Sequence, residues 1–296
     1  MFVYAAALLC AIGIPAGIIY GRGLLSNKIT SVDDITDTIN IPVVAELPYQ
    51  KIDDYIAIKG GNTNVVSEQL RALRIKLFHL HNGKETGRVT LLTSSVPGEG
   101  KSFVSINLGT ALAFAYKKTV ILELDMRRPK IAKSLDVSNQ HKGISEYLYG
   151  KASKEEIIQR SPTVENLDVI TCGAMINNPS ESLEKEELKD LILWLRNNYD
   201  DVIIDSPPIH LVPDAAILSR LSDITLYLVR QGVTEKDELN FIQQLDEQAQ
   251  LHNINIIFNG IERMKYGYGY RYNEGYYTNT KRTFLEPVFS DFKNRF

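Results

Sequence analysis

Cysteine is almost missing from this chain: two residues in 296, Cys10 in an apolar N-terminal run and Cys172 behind an expected strand. That number and placement exclude a disulfide framework and a cysteine-based metal site. The five histidines are scattered, and His79 and His81, which bracket a leucine at an expected helix end, read as solvated. Surplus positive charge is missing as well. Against 36 Asp and Glu stand 33 Lys and Arg, a net charge of -3, so nothing marks a nucleic-acid partner. Uncharged runs long enough to cross a bilayer are absent with one exception, the 18 residues from Val3 to Tyr20. As a helix that run measures roughly 27 Å, enough to cross a bilayer, although a buried core helix has the same pattern. No basic stretch precedes it, unlike a signal peptide, and the first charges, Arg22 and Lys28, follow it. The positive-inside rule then puts the C-terminal side in the cytoplasm.

What is present suits a globular core: 44% hydrophobic and 23% charged residues. The chain is organised around Arg88-Val-Thr-Leu-Leu-Thr-Ser-Ser-Val-Pro-Gly-Glu-Gly-Lys-Ser102. Val89 to Leu92 predicts a buried strand. After the glycine turn, Phe103, Ile106, Leu108, Ala111 and Leu112 give an apolar helical period. Strand, glycine turn, Lys-Ser and helix in that order form a phosphate-binding loop in its required context. Gly98 and Gly100 let amides curl around phosphate oxygens, with Pro97 and Glu99 beside them in the turn and Phe103 opening the helix. The helix N-terminus adds partial positive charge. Lys101 reaches the β- and γ-phosphates of ATP, and Ser102 ligates Mg2+. Ser95 stands where the first glycine of the motif is usual.

From Arg88 to Gly260 apolar strands alternate with helical patterns. Strands are expected at 89–93, 120–124, 167–171, 202–204, 224–229 and 254–258, and helices at 102–116, 183–198, 213–221 and 234–250. The fold class is α/β, a P-loop NTPase with a mostly parallel sheet and helices on both faces, preceded by one transmembrane helix. Ligands bind at the carboxyl ends of such strands. Two further strands end there in acids: Val120 to Leu124, with Glu123, Asp125 and then Arg127, and Val202 to Ile204, with Asp205 in a Walker B pattern. Ser102, Asp125 and Asp205 are the candidate Mg2+ set. Asn259-Gly260 closes the last strand, either as a plain turn or with Asn259 facing the adenine.

Upstream, residues 31–39 predict a short helix capped by Ser31, residues 41–48 a strand and residues 49–62 a linker. The helix over 64–81 carries Glu68, Arg71 and Arg74 at i, i+3 and i+6, beside an apolar stripe of Leu70, Leu73 and Leu77. On its own this is a solvated face with one ion pair. Beyond Glu262, six tyrosines crowd twelve residues, Tyr266, Tyr268, Tyr270, Tyr272, Tyr276 and Tyr277, interleaved with glycine and without apolar periodicity. An exposed tail is expected. Sticky contacts, base stacking and phosphate acceptance compete as its use. The absent basic surplus disfavours nucleic acid, and a chain that holds ATP and Mg2+ favours acceptors.

Together these motifs resemble the bacterial protein-tyrosine kinases of capsule and exopolysaccharide assembly over nearly the whole chain. Ser-Ser-Val-Pro-Gly-Glu-Gly-Lys-Ser, Leu-Glu-Leu-Asp-Met-Arg-Arg-Pro and Ile-Ile-Asp-Ser-Pro-Pro look like that family's Walker A, A′ and B motifs. The resemblance implies an ATP-dependent autokinase at the inner membrane. Its subunits form a homo-oligomeric ring through Glu68, Arg71 and Arg74 and phosphorylate one another's tail tyrosines. It implies Lys101 and Ser102 on phosphate and Mg2+, Asp125 and Asp205 orienting metal and hydroxyl, Glu123 as candidate base and Arg127 on the transferring charge. Its partners are polysaccharide polymerisation and export proteins and a cognate phosphotyrosine phosphatase. The expected units are a transmembrane helix over 1–22, a juxtamembrane segment and linker over 23–62, the kinase domain over 63–262 and a tyrosine-rich tail over 263–296. Three departures stand out. Glu123 replaces the family's usual Asp, the large external domain and first span of fused members are missing, as in a fragment or a truncated form, and Val96 replaces the signature lysine of partitioning and division-site ATPases. The rival reading is a non-catalytic ATP-gated scaffold of the export machinery.

Overall fold

The computed structural model describes residues 27–49, 55–58, 64–138 and 140–262, with 4, 11 and 13–15. The expected span over 1–22 lies almost wholly outside the described residues, and the tyrosine tail lies outside them entirely. Among the described residues no helix is long and apolar enough to cross a membrane.

The elements in chain order are α1 (Val32–Thr36), β1 (Val43–Pro48), α2 (Val65–Leu80), β2 (Arg88–Ser94), α3 (Lys101–Ala113), β3 (Thr119–Glu123), α4 (Ile131–Ser134), α5 (Ile144–Leu148), β4 (Ile158–Arg160) and β5 (Leu167–Ile170), followed by α6 (Pro179–Leu183), α7 (Glu186–Asn198), β6 (Asp201–Asp205), α8 (Asp214–Ser219), β7 (Ile224–Arg230), α9 (Asp237–Glu247) and β8 (Ile254–Ile261). The eight strands form one sheet in the order β1-β8-β7-β2-β6-β3-β5-β4. Every pairing is parallel except the edge pair β4–β5.

Parallel strands buried on both faces read as unbroken apolar runs, and successive side chains supply opposite layers. In β6, Ile203 enters the layer under α2 and α3, whereas Val202 and Ile204 enter the layer under α7. In β7, Leu226 and Leu228 join the first layer, while Tyr227 and Val229 join a third cluster with Ile29, Ile35 and α9. Asn64 caps α2 through a reciprocal bond with Ser67.

Several expectations are corrected. The helix expected over 183–198 is α7, which starts three residues later at Glu186, and the short α6 ahead of it was not expected. The stretch over 49–62, expected to be a linker, includes Ala57 and Ile58, both buried. The Asn107 side chain of α3 holds it there, accepting from the Ala57 amide at 2.6 Å and donating to the Tyr55 carbonyl at 2.9 Å. His81 is buried rather than solvated, with Nε2 3.0 Å from the Thr90 hydroxyl. The short β4, α4 and α5 had no periodic signal long enough to show. Residues 27–48, expected outside the kinase unit, complete its sheet: β1 pairs along β8, and Ile29 and Thr234 bond through their backbones at 2.9 Å.

At the amino end of the central strands, Arg88 forks onto Asp201, Nε to Oδ1 at 2.7 Å and the terminal nitrogen to Oδ2 at 2.5 Å, and both residues are buried. Breaking a buried pair leaves one charge uncompensated. Arg88→Met therefore lowers unfolding stability by about 3–5 kcal/mol in urea denaturation, whereas an unchanged midpoint would show Asp201 satisfied by other means.

Candidate functional site

Register brings the chemistry together. β2 pairs Leu92 with Asp205 of β6, and β3 pairs Glu123 with the same Asp205. The loop after β2 and the acids closing β6 and β3 therefore share one carboxyl edge. Gly98 and Gly100 adopt positive φ, 91° and 103°. At Gly100 a Cβ would come 2.2 Å from Asn259 Nδ2, so the motif glycine is required twice over, by conformation and by space.

Lys101 opens α3 and is buried, its ammonium donating to Ser94 Oγ at 2.9 Å. Burial pulls its pKa down, and the carboxylates of Asp205, Glu99 and Asp125 pull it back up. Ser102 Oγ donates to Asp205 Oδ2 at 2.8 Å and Ser105 Oγ to Oδ1 at 2.8 Å. Burial raises the Asp205 pKa to about 6, against the lowering effect of those two hydroxyls and of Lys101. Asp125 is half-buried and accepts from the Arg128 amide at 3.1 Å. Glu123 is buried and spends Oε1 on the amides of Lys130, at 2.5 Å, and Ile131, at 2.6 Å, at the start of α4, while Oε2 has no hydrogen-bond partner among the described residues. Desolvation raises its pKa. Arg127 donates to Asp214 Oδ2 at 2.9 Å and to Ser180 Oγ at 3.3 Å. Asn259 is buried, and its amide nitrogen donates to the Glu99 carbonyl at 2.7 Å. Pro97 and Gly98 are exposed at the loop's crest, and Phe103 packs against the core under α3.

Away from this edge, Arg71 pairs with Glu68 on α2. Arg74 turns inward to the Ala111 carbonyl at 3.0 Å, a cation on the last turn of α3. Sequence reasoning passed over Ser105, Asp214, Thr234 and Arg230. Ser105 was legible as i+3 from Ser102 on one helix face. The others lie far along the chain from their partners and carry no local signal.

The donor set fits Mg2+. It consists of hard oxygens from a hydroxyl and acids, with Ser102 and Asp205 already held together. No group of three or more His, Cys, Asp or Glu capable of holding a metal occurs among the described residues. Mg2+ at nucleotide sites takes one or two protein ligands and completes its shell from phosphates and water.

A glycine-turned loop before a buried lysine, opposite a strand-end aspartate, defines a P-loop nucleotide-binding protein, and the family model described as "AAA domain" matches residues 88–254. Tyrosine-protein kinase YwqD of Bacillus subtilis is 32% identical over 69% of this chain and 85% of its own. The solved kinase domain of Escherichia coli tyrosine kinase ETK superposes with a TM-score of 0.72 at 30% identity, over 82% of this chain and 100% of that one. The chain belongs to the bacterial tyrosine-protein kinase family. Against the longer relatives it is partial: it matches Escherichia coli Etk at 35% identity over 73% of this chain but only 29% of Etk.

Asp205 raises a pH question. A carboxyl whose folded pKa lies above its ordinary 3.8 is a cost to folding once ionised, and that cost disappears as pH falls from about 6 towards 4. Asp205→Asn should therefore stabilise the nucleotide-free protein at pH 7 by on the order of 2–3 kcal/mol, with the gain shrinking below pH 6. Urea titrations at pH 7.5 and pH 5 check this, and a gain independent of pH rules it out.

Proposed function

We propose that this chain is an ATP·Mg2+-dependent protein-tyrosine autokinase that phosphorylates tail tyrosines of neighbouring subunits. The observation that supports this most is the meeting of Lys101, Ser102, Asp125 and Asp205 at one sheet edge in a member of the tyrosine-kinase family. Lys101 moves from Ser94 to the β- and γ-phosphates when nucleotide arrives. Ser102 and Asp205, with Asp125, would hold Mg2+, which screens the charge on the phosphates during transfer. The hydroxyl of one of Tyr266, Tyr268, Tyr270, Tyr272, Tyr276 or Tyr277 attacks the γ-phosphorus, the bond to the bridging oxygen breaks, ADP leaves, and the phenolic proton passes to a carboxylate. Asp125 suits that role better than Glu123, whose Oε1 is occupied and whose second oxygen is buried. Arg127, anchored by Asp214, stabilises the transferring charge.

In this proposal Glu68, Arg71 and Arg74 form the ring contact, and the run over 1–22 tethers the kinase to the inner membrane with its active edge in the cytoplasm. Its setting is the polymerisation and export of capsular or exopolysaccharide, opposed by a phosphotyrosine phosphatase.

Incubation with ATP·Mg2+ followed by mass spectrometry should place phosphate within 266–277, and Lys101→Met should abolish it by at least about 100-fold. Unmodified tyrosines in the wild type would instead identify an ATP-gated scaffold. Arg71→Ala with Arg74→Ala should reduce the mass in light scattering from ring to monomer. Arg71→Ala alone controls for the internal bond of Arg74, and an unchanged mass refutes the ring contact.

A further inference from the structure

Two consecutive peptides of the phosphate loop are pulled outward by residues far along the chain. Arg230, at the end of β7, donates to the Gly98 carbonyl at 2.6 Å. Asn259, in β8, donates to the Glu99 carbonyl at 2.7 Å. No peptide bond in the described chain is cis. In a trans peptide the carbonyl and the following N–H point in opposite directions. Fixing the Gly98 and Glu99 carbonyls outward therefore fixes the Glu99 and Gly100 N–H groups inward, towards the concave side where a phosphate sits. Among the described residues neither amide donates to another group.

The supporting shell is built for this. Gly260, at φ 69°, leaves room for the Arg230 side chain, since a Cβ there would lie 3.0 Å from Arg230 Nε. The Glu99 side chain is gripped from both sides, by the Val96 amide at 2.9 Å and by the Thr234 hydroxyl. Thr234 Oγ1 itself accepts from the Arg230 amide at 2.8 Å. We propose that Arg230 and Asn259 are positioning residues that orient the loop amides for phosphate, and that Asn259 acts on the loop rather than on the base. The proposal rests on nucleotide binding alone and is independent of tyrosine phosphorylation.

Calorimetry of the full chain with ATP, GTP and inorganic pyrophosphate tests it. Pyrophosphate has no base. Arg230→Met and Asn259→Ala should each weaken all three ligands by the same factor, about tenfold, leaving the ATP to GTP ratio intact. Urea midpoints establish that both variants are folded, and if Asn259→Ala is not, Arg230→Met, whose side chain is not in the core, carries the test. A loss confined to ATP in Asn259→Ala overturns the proposal in favour of base contact. Unchanged pyrophosphate affinity in Arg230→Met overturns it outright.

Discussion

Keeping a carboxylate charged in the middle of a parallel sheet is the constraint around which this domain is built. Asp205 is fully enclosed at the end of β6, with β2 on one side and β3 on the other. Among the described residues, the Ser102 and Ser105 hydroxyls and the nearby Lys101 offset its lost hydration. All three offsetting groups come from the first turns of α3, so the helix cannot slide or tilt without stranding the charge. The same helix start carries the loop amides. The stability of the site and its aim at phosphate are therefore two readings of one arrangement.

Around this centre the acids divide the labour by burial. Asp125 stays half in solvent and keeps its accepting capacity. Glu123, two residues earlier, is drawn inside and becomes the bracket that starts α4 through two amide bonds. The length of the glutamate makes this possible: one methylene longer than an aspartate, it reaches amides belonging to the next turn of chain. Arg127 is held in the same spirit, by Asp214 and Ser180 arriving from two other elements.

How much was legible follows from how local each signal is. The central strands, the loop and α3 were readable because apolar runs, glycines and Lys-Ser lie within one stretch of chain. The acids at strand ends were readable because they close runs of apolar residues. The short α6 was missed because five residues are too few to show a helical period. The burial of His81 was missed because a histidine at a helix end looks the same whether it faces water or, as here, the Thr90 hydroxyl. The inward turn of Arg74 onto α3 was hidden for the same reason: its spacing reports a helix face, not what lies against that face. Arg230 and Thr234 had no signature at all, since their partner is a loop in a distant part of the sequence, and Asn259 was legible as the close of the last strand but not as a partner of that loop.

That distance has a consequence for the growing polypeptide. The loop's outer supports stand 132, 135 and 160 residues downstream of it. Synthesis runs from the N-terminus, so the ribosome releases the whole glycine turn long before the strands that give it shape. A nascent chain therefore carries the motif without the grip, and the loop gains the last of these supports only when β8 has emerged and closed the sheet between β7 and β1.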